Sequence, residues 1–252
     1  MNYNNLLQVA TAVGQALLEN GAEIYRVEES VERIVQSYGP RDVNVYAVPN
    51  TIIVSITLED NSSLTKTKRI RTRGTNLDRV ERLNDLSRRI VITQPSFDTI
   101  LKELVQIDSR PVYSFKMELF AYALTSSTFA LFFGGTFNDA ICALLIGPIV
   151  RLISFNLNLL KANPFFVTIS CSLVAATLGI LTTYFSIGQH YDKIIIGVVM
   201  NLVPGVALTN SVRDLIAGDM IAGQAKLIEA ILTATCIAIG TGTAVSLIPI
   251  FL

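Results

Sequence analysis

Hydrophobic positions keep two rhythms along this chain. In the first part they recur at the spacing of secondary structure in water. Leu6, Val9, Val13 and Leu17 fall on one helical face, and Ile24, Val27, Val31, Ile34 and Val35 form another after Asn20-Gly21, a natural helix stop. Residues 43–58 are rich in β-branched side chains and interrupted by Pro49-Asn50, which predicts a hairpin, and residues 63–72 predict a third strand. Leu77, Val80, Leu83 and Ile90 mark a further helix, supported by Asp78/Arg82 and Asp85/Arg89 pairs one turn apart. Ser96, after Pro95, caps a last one with Phe97, Ile100, Leu101 and Leu104 facing inward. The predicted order ααβββαα makes residues 1–110 a small α+β domain, long enough to hold a core of its own.

From Met117 onward the rhythm gives way to long apolar runs. Five are of spanning length, at about 117–135, 137–157, 164–185, 193–211 and 226–251, where roughly 20 residues of helix cross about 30 Å of hydrocarbon. Backbone groups in lipid must bond within their own segment, so runs this poor in alternation are helices and not barrel strands. The expected fold is membrane α-helical: five transmembrane helices in residues 111–252, preceded by a small cytoplasmic α+β domain in residues 1–110.

Composition sharpens this division. The 252 residues are 51% hydrophobic and 16% charged, and the mean hydropathy is +0.50. Residues 1–110 carry 28 charged side chains and the other 142 residues carry only 12, so the two parts are suited to different solvents. Net charge is zero and the isoelectric point is near 6.6, which leaves no clustered basic field for nucleic acid. Cys142, Cys171 and Cys236 lie in apolar stretches without CxxC spacing, and His190 stands alone, so they read as small buried hydrophobes and no metal site is expected. The first twenty residues lack a basic leader region and are broken by Gln8 and Gln15, so no cleavable signal is expected. Lys102, Arg110, Lys116, Arg151, Lys161, Arg213 and Lys226 flank the spans on one side and Lys193 on the other. That bias predicts a cytoplasmic N-terminal part and an external C-terminus. An odd number of crossings also suits one half of an inverted-repeat transporter.

Polar residues at membrane depth are costly and are functional candidates by default. Thr125, Ser126, Ser127 and Thr128 precede Gly134-Gly135, with Asp139 just inside the second span, where packing and capping explain them as well as function does. In the fourth span Asn201, Pro204, Gly205, Thr209 and Asn210 cluster, and Pro204-Gly205 is expected to break the helix near its middle. A broken helix exposes N–H groups and carbonyls that can hold a carboxylate or an ammonium group. Arg213-Asp214 and Gly218-Asp219 follow in a loop where composition favours solvated charge. Arg151 is expected to snorkel to the headgroups. In the first part, the basic run 66–73 reads as a solvated edge strand and Glu28, Glu29 and Glu32 as a solvated helix face with a Glu29/Arg33 pair. No Ser/His/Asp, Cys/His or phosphate-loop arrangement is present, so neither an enzyme nor a cofactor is expected.

Three segments carry a resemblance. NGAEIYRVEESVERIVQSYG at 20–39, FFGGTFNDA at 132–140 and LVPGVALTNSVRDLIAGDMIAGQAKLIEA at 202–230 resemble signature regions of the threonine/serine exporter family. The chain is similar to the larger subunit of that family's split form, in which a separate small membrane protein supplies the remaining spans. The resemblance implies a plasma-membrane exporter subunit for threonine and serine. It implies a pathway through Asp139, Asn201, Pro204, Gly205, Thr209, Asn210, Arg213, Asp214, Gly218 and Asp219, and a small-molecule substrate, the lipid bilayer, the small subunit and further copies as partners. The split form is also linked to dicarboxylate export, which leaves succinate as an alternative substrate. A membrane-anchored sensor acting through residues 1–110 and a passive pore are the readings from other classes.

Overall fold

The computed structural model describes residues 2–110 and 113–251, with side chains as far as residue 247. It divides into two compact units, one of residues 1–110 with 206–228 and the other of residues 111–205 with 229–252.

The first unit follows the predicted order. Helix α1 (Tyr3–Glu19) is started by Asn2, whose Oδ1 accepts the Asn4 and Asn5 N–H groups, and α2 (Ile24–Gln36) follows it. Between them Gly21 adopts φ +87°, and a Cβ there would lie 2.9 Å from the Gly74 carbonyl. Only glycine satisfies both the left-handed turn and that approach. Strands β1 (Asp42–Val48), β2 (Thr51–Thr57) and β3 (Ser63–Arg69) form an antiparallel sheet in sequence order, with Tyr46 opposite Ile53 and Ile53 opposite Thr67. The third strand stops at Arg69 and not at residue 72, because Arg69 pairs with Thr51, where β2 begins. Helices α3 (Leu77–Thr93) and α4 (Phe97–Asp108) are capped by Asn76 and Ser96.

Leu6, Val13, Leu17, Ile24, Val27, Val31, Ile34, Ile52, Val54, Leu83 and Ile90 are buried together. Each large side chain so buried contributes about 1.5–3 kcal/mol. Ala222 joins the same core from a segment more than a hundred residues further on.

The second unit is helical: α5 (Phe115–Phe132), α6 (Phe137–Leu159), α7 (Pro164–Tyr184) and α8 (Tyr191–Val199). Its core mixes Ile and Val with small side chains, among them Ala130, Cys142, Ala143, Cys171, Ala175 and Ala176, which let helices approach closely. A Cβ on Gly197 of α8 would lie 2.6 Å from the Ser126 carbonyl, and one on Gly147 of α6 would lie 2.6 Å from the Tyr122 carbonyl. Large hydrophobics such as Phe120, Phe132, Leu145, Leu152 and Phe166 point outward. Arg151 Nε donates to Glu118 at 3.0 Å, and its guanidinium lies over the Tyr122 ring.

Helix α9 (Gly205–Ala217) and the long α10 (Met220–Phe251) complete the chain. At 32 residues α10 runs about 48 Å, and its first two turns belong to the first unit. Among the described residues three helical segments are long and apolar enough to cross a membrane: Phe137–Leu159, Pro164–Tyr184 and Met220–Leu247. The other two expected spans fall short for different reasons. Helix α5 includes Lys116, Glu118 and the run Thr125–Ser126–Ser127–Thr128 in its 18 residues. The fourth is split into α8, of 9 residues, and α9, of 13.

Candidate functional site

The split falls at Pro204. Helix α8 ends at Val199, the next five residues are not helical, and Gly205 opens α9. Pro204 has no N–H to give a helical ladder, and Gly205 has open space where a Cβ would be. On the α8 side Asn201 Nδ2 donates to Ser126 Oγ at 2.8 Å and to the Val198 carbonyl at 3.1 Å. Ser126 is fully buried. One of the four serine and threonine hydroxyls of α5 thus has a specific partner at the break.

Asp139 lies elsewhere in the second unit, at the start of α6, and is fully buried. It is not the cap itself. Thr136 caps α6, and Asp139 closes a capping box by accepting the Thr136 N–H at 2.8 Å. Its other oxygen accepts the N–H groups of Gln189 at 2.6 Å and His190 at 3.0 Å, and the His190 Nδ1 lies 3.0 Å from Oδ2. Both oxygens are therefore committed to holding the segment before α8 against the end of α6.

The remaining candidates gather in the first unit. Asn210 Nδ2 donates to the Gly21 carbonyl at 3.3 Å, and Arg213 pairs with Glu23, which also pairs with Arg26. Asp214 is fully buried: Oδ1 accepts the Ile24 N–H at 3.1 Å and Oδ2 accepts Lys226 Nζ at 2.7 Å. Lys226 Nζ also reaches the Ala22 carbonyl at 3.4 Å. The first turn of α2, with no side-chain cap of its own, is thus completed by a carboxylate from α9. Thr209 is exposed on α9. Gly218, at φ +99°, turns the chain from α9 to α10, and the Asp219 N–H returns to the Asp214 carbonyl at 2.9 Å.

Glu28 is not part of a solvated face. It is half-buried, and its Oε1 accepts the Ala47 N–H of β1 at 2.6 Å, while Glu29 and Glu32 pair outward with Arg33 and Gln36. Burial, with Asp219 and Glu32 nearby, pushes its carboxyl above the usual range, and burial with Asp214 nearby does the same to Asp219. Of the ten residues singled out in the sequence, Thr209, Asn210, Arg213, Asp214, Gly218 and Asp219 fall in the first unit, and Asp139, Asn201, Pro204 and Gly205 in the second. Sequence reasoning missed Glu23, Glu28 and Lys226, although all three lie inside the two longest signature segments. The opposite charges of Glu23 and Arg213, which pair across the two segments, were the one signal that the segments meet.

The sequence matches a family model described as "Putative threonine/serine exporter" over residues 8–248. It is 23% identical over 242 residues to a protein of Mycobacterium tuberculosis (strain ATCC 25618 / H37Rv) described as "Probable threonine/serine exporter". That alignment covers 95% of this chain and 46% of the relative, so the chain spans about half the length of the curated relative it matches. No solved structure matches it. With the family model spanning nearly the whole sequence, including all three signature segments, the chain belongs to the threonine/serine exporter family.

Proposed function

We propose that this chain is the larger subunit of a two-component exporter that moves threonine and serine out of the cell. Family membership supports an exporter, and the observation that carries a carrier mechanism is the helix interrupted between Val199 and Gly205. A zwitterion needs donors for its carboxylate and acceptors for its ammonium group. A helix opening at Gly205 leaves first-turn N–H groups without intrahelical acceptors, while at the close of α8 the Ile196, Val198 and Val199 carbonyls already accept the Met200, Asn201 and Leu202 N–H groups. Asn201, Pro204, Gly205, Thr209 and Asn210 make up this part of the proposed pathway. Asp139, Arg213, Asp214, Gly218 and Asp219 complete it, with Asp139 and Asp214 holding the fold in shape through the bonds described above.

In this reading the chain is a multi-pass protein of the plasma membrane with five crossings, α5 and residues 193–211 counting for two of them. Its N-terminal part faces the cytoplasm and its C-terminus lies outside. A small membrane subunit supplies the remaining crossings, and the proton gradient drives export. The test uses inside-out membrane vesicles holding the chain together with the proposed small membrane subunit. Threonine and serine should accumulate when a pH gradient is imposed, and succinate should not. Accumulation of succinate alone would replace the substrate, and equilibration of every solute without accumulation would replace the carrier with a pore.

A further inference from the structure

Cations in the first unit fall into two sets. Most arginines on its helices are matched: Arg33 pairs with Glu29, Arg79 with Asp108, Arg82 with Asp78, and Arg89 with Asp85 and Glu103. The stretch from residue 66 to residue 73 is different, with five cations and no acid in a chain of zero net charge. Lys66, Lys68, Arg69 and Arg71 are all exposed, and none of these four has an ion pair among the described residues. Like charges held this close repel one another, and a counter-charge from outside the chain would relieve them.

Lysines on an outermost strand discourage pairing with another chain, which accounts for Lys66 and Lys68. Strand β3 ends at Arg69, however, and the Ile70 N–H is already taken by the Asn50 carbonyl at 2.9 Å with the Ile70 side chain buried. Arg71 therefore guards no open ladder, yet the run of charge continues through it. The run also leads to a definite end of the unit. The Gly74 N–H donates to the Glu19 carbonyl at 2.9 Å and the Asn76 N–H to the Asn20 carbonyl at 3.0 Å, and the next carbonyl, that of Gly21, accepts Asn210 Nδ2 at 3.3 Å. Asn210 lies at the inner end of the proposed crossing 193–211. The segment after the basic run is thus fastened to the chain at the level where that crossing would meet the headgroups.

We propose that Lys66, Lys68, Arg69 and Arg71 are a docking surface for the headgroups of anionic phospholipids on the cytoplasmic side of the membrane. The proposal rests on the reading of residues 193–211 as a crossing, and not on the identity of the exported solute. At about 3.3 Å per residue, the stretch from 66 to 71 extends over roughly 17 Å. One small anion cannot meet four cations spread over that length. A layer of phosphates can, each accepting from an ammonium or guanidinium group.

Hydrogen exchange of the full chain in lipid nanodiscs tests it. Amides of residues 64–73 should exchange roughly tenfold more slowly in discs of phosphatidylglycerol with phosphatidylcholine than in discs of phosphatidylcholine alone, while those of α3 exchange alike in both. Raising the salt to about 0.5 M, where charges are screened within about 4 Å, should erase the difference. So should the combined variant Lys66→Gln, Lys68→Gln, Arg69→Gln and Arg71→Gln, with exchange in α3 reporting that the unit is folded; where it does not fold, the salt series on the wild type decides alone. Equal exchange in the two kinds of disc, or a difference that salt leaves intact, overturns the proposal. Slowing that appears only when the small membrane subunit is added also overturns it and gives the surface to a protein. A chain that does not enter the discs overturns the membrane reading and this surface with it. A chain that shows the salt-sensitive lipid effect but exports no threonine from vesicles upholds the surface and overturns only the exported solute.

Discussion

At the scale of single residues, the first unit turns on Asp214. Its two oxygens serve the Ile24 N–H and the Lys226 ammonium at 0% exposure, and Lys226 itself is only 14% exposed. Removing one member of such a pair strands the other, at a cost of about 3–5 kcal/mol. Lys226→Met and Asp214→Asn should each lower the melting temperature of the purified protein sharply. The double variant should lose less than the sum of the two, since neither charge is then left alone. Asp219→Asn should act in the opposite direction. A carboxyl whose pKa is raised on folding adds stability at low pH, and that contribution is lost as the pH rises through its folded pKa. The asparagine variant should therefore be the more stable protein near neutrality, with its advantage fading in acid, as melting temperatures across a pH series would register. None of this was legible in the sequence at the level of partners. Composition made Arg213 and Asp214 solvated loop charges and Glu28 a surface residue. The carbonyls and N–H groups that bind such side chains carry no mark in a one-letter code, and Asp214 is held by the amide of an isoleucine 190 positions away.

At the scale of elements, periodicity and capping residues were a good guide wherever a local cause decides the outcome. Asn20-Gly21 stops α1, Pro49-Asn50 turns the hairpin, Ser96 caps α4 and Pro204 parts α8 from α9. The outcome was less legible where apolar length alone was the signal. A run such as 193–211 looks continuous by composition, but the helices on either side of its break are short, and three segments rather than five meet the demands of a full crossing unaided. Close helix approach was also hidden, because a glycine signals opportunity but not the neighbour that uses it. A Cβ at Gly197 of α8 or at Gly147 of α6 would lie 2.6 Å from a backbone carbonyl of α5. Valine at either should force backbones apart, costing about 1–3 kcal/mol or more. The loss should be seen as a lower yield of monodisperse protein extracted from membranes and a lower melting temperature, and alanine at the same sites should be milder.

At the scale of the whole molecule, the chain leaves the first unit at residue 110 and returns to it for residues 206–228. A fragment ending at residue 110 lacks the carboxylate that caps α2, one of the two arginine partners of Glu23 and the Ala222 methyl in the core. Expressed alone, that fragment should show faster hydrogen exchange through the first turns of α2 than the intact protein, and joining residues 206–228 to it through a flexible linker should restore protection. Reporter fusions after residue 110 and at the C-terminus should report opposite faces of the membrane if the proposed five crossings hold, and the same face would overturn them.

The edge of the small sheet has a consequence for how copies of this protein can meet. Lys66 and Lys68 stand opposite Val54 and Ile52 on the outermost strand, on the side where its neighbours bury their apolar residues. An incoming ribbon from a second molecule would have to seat aliphatic side chains beside two ammonium groups, so that border repels extension. Self-association must therefore use some other surface than this strand, and crowding these proteins together in a bilayer should not seed fibrous growth from it.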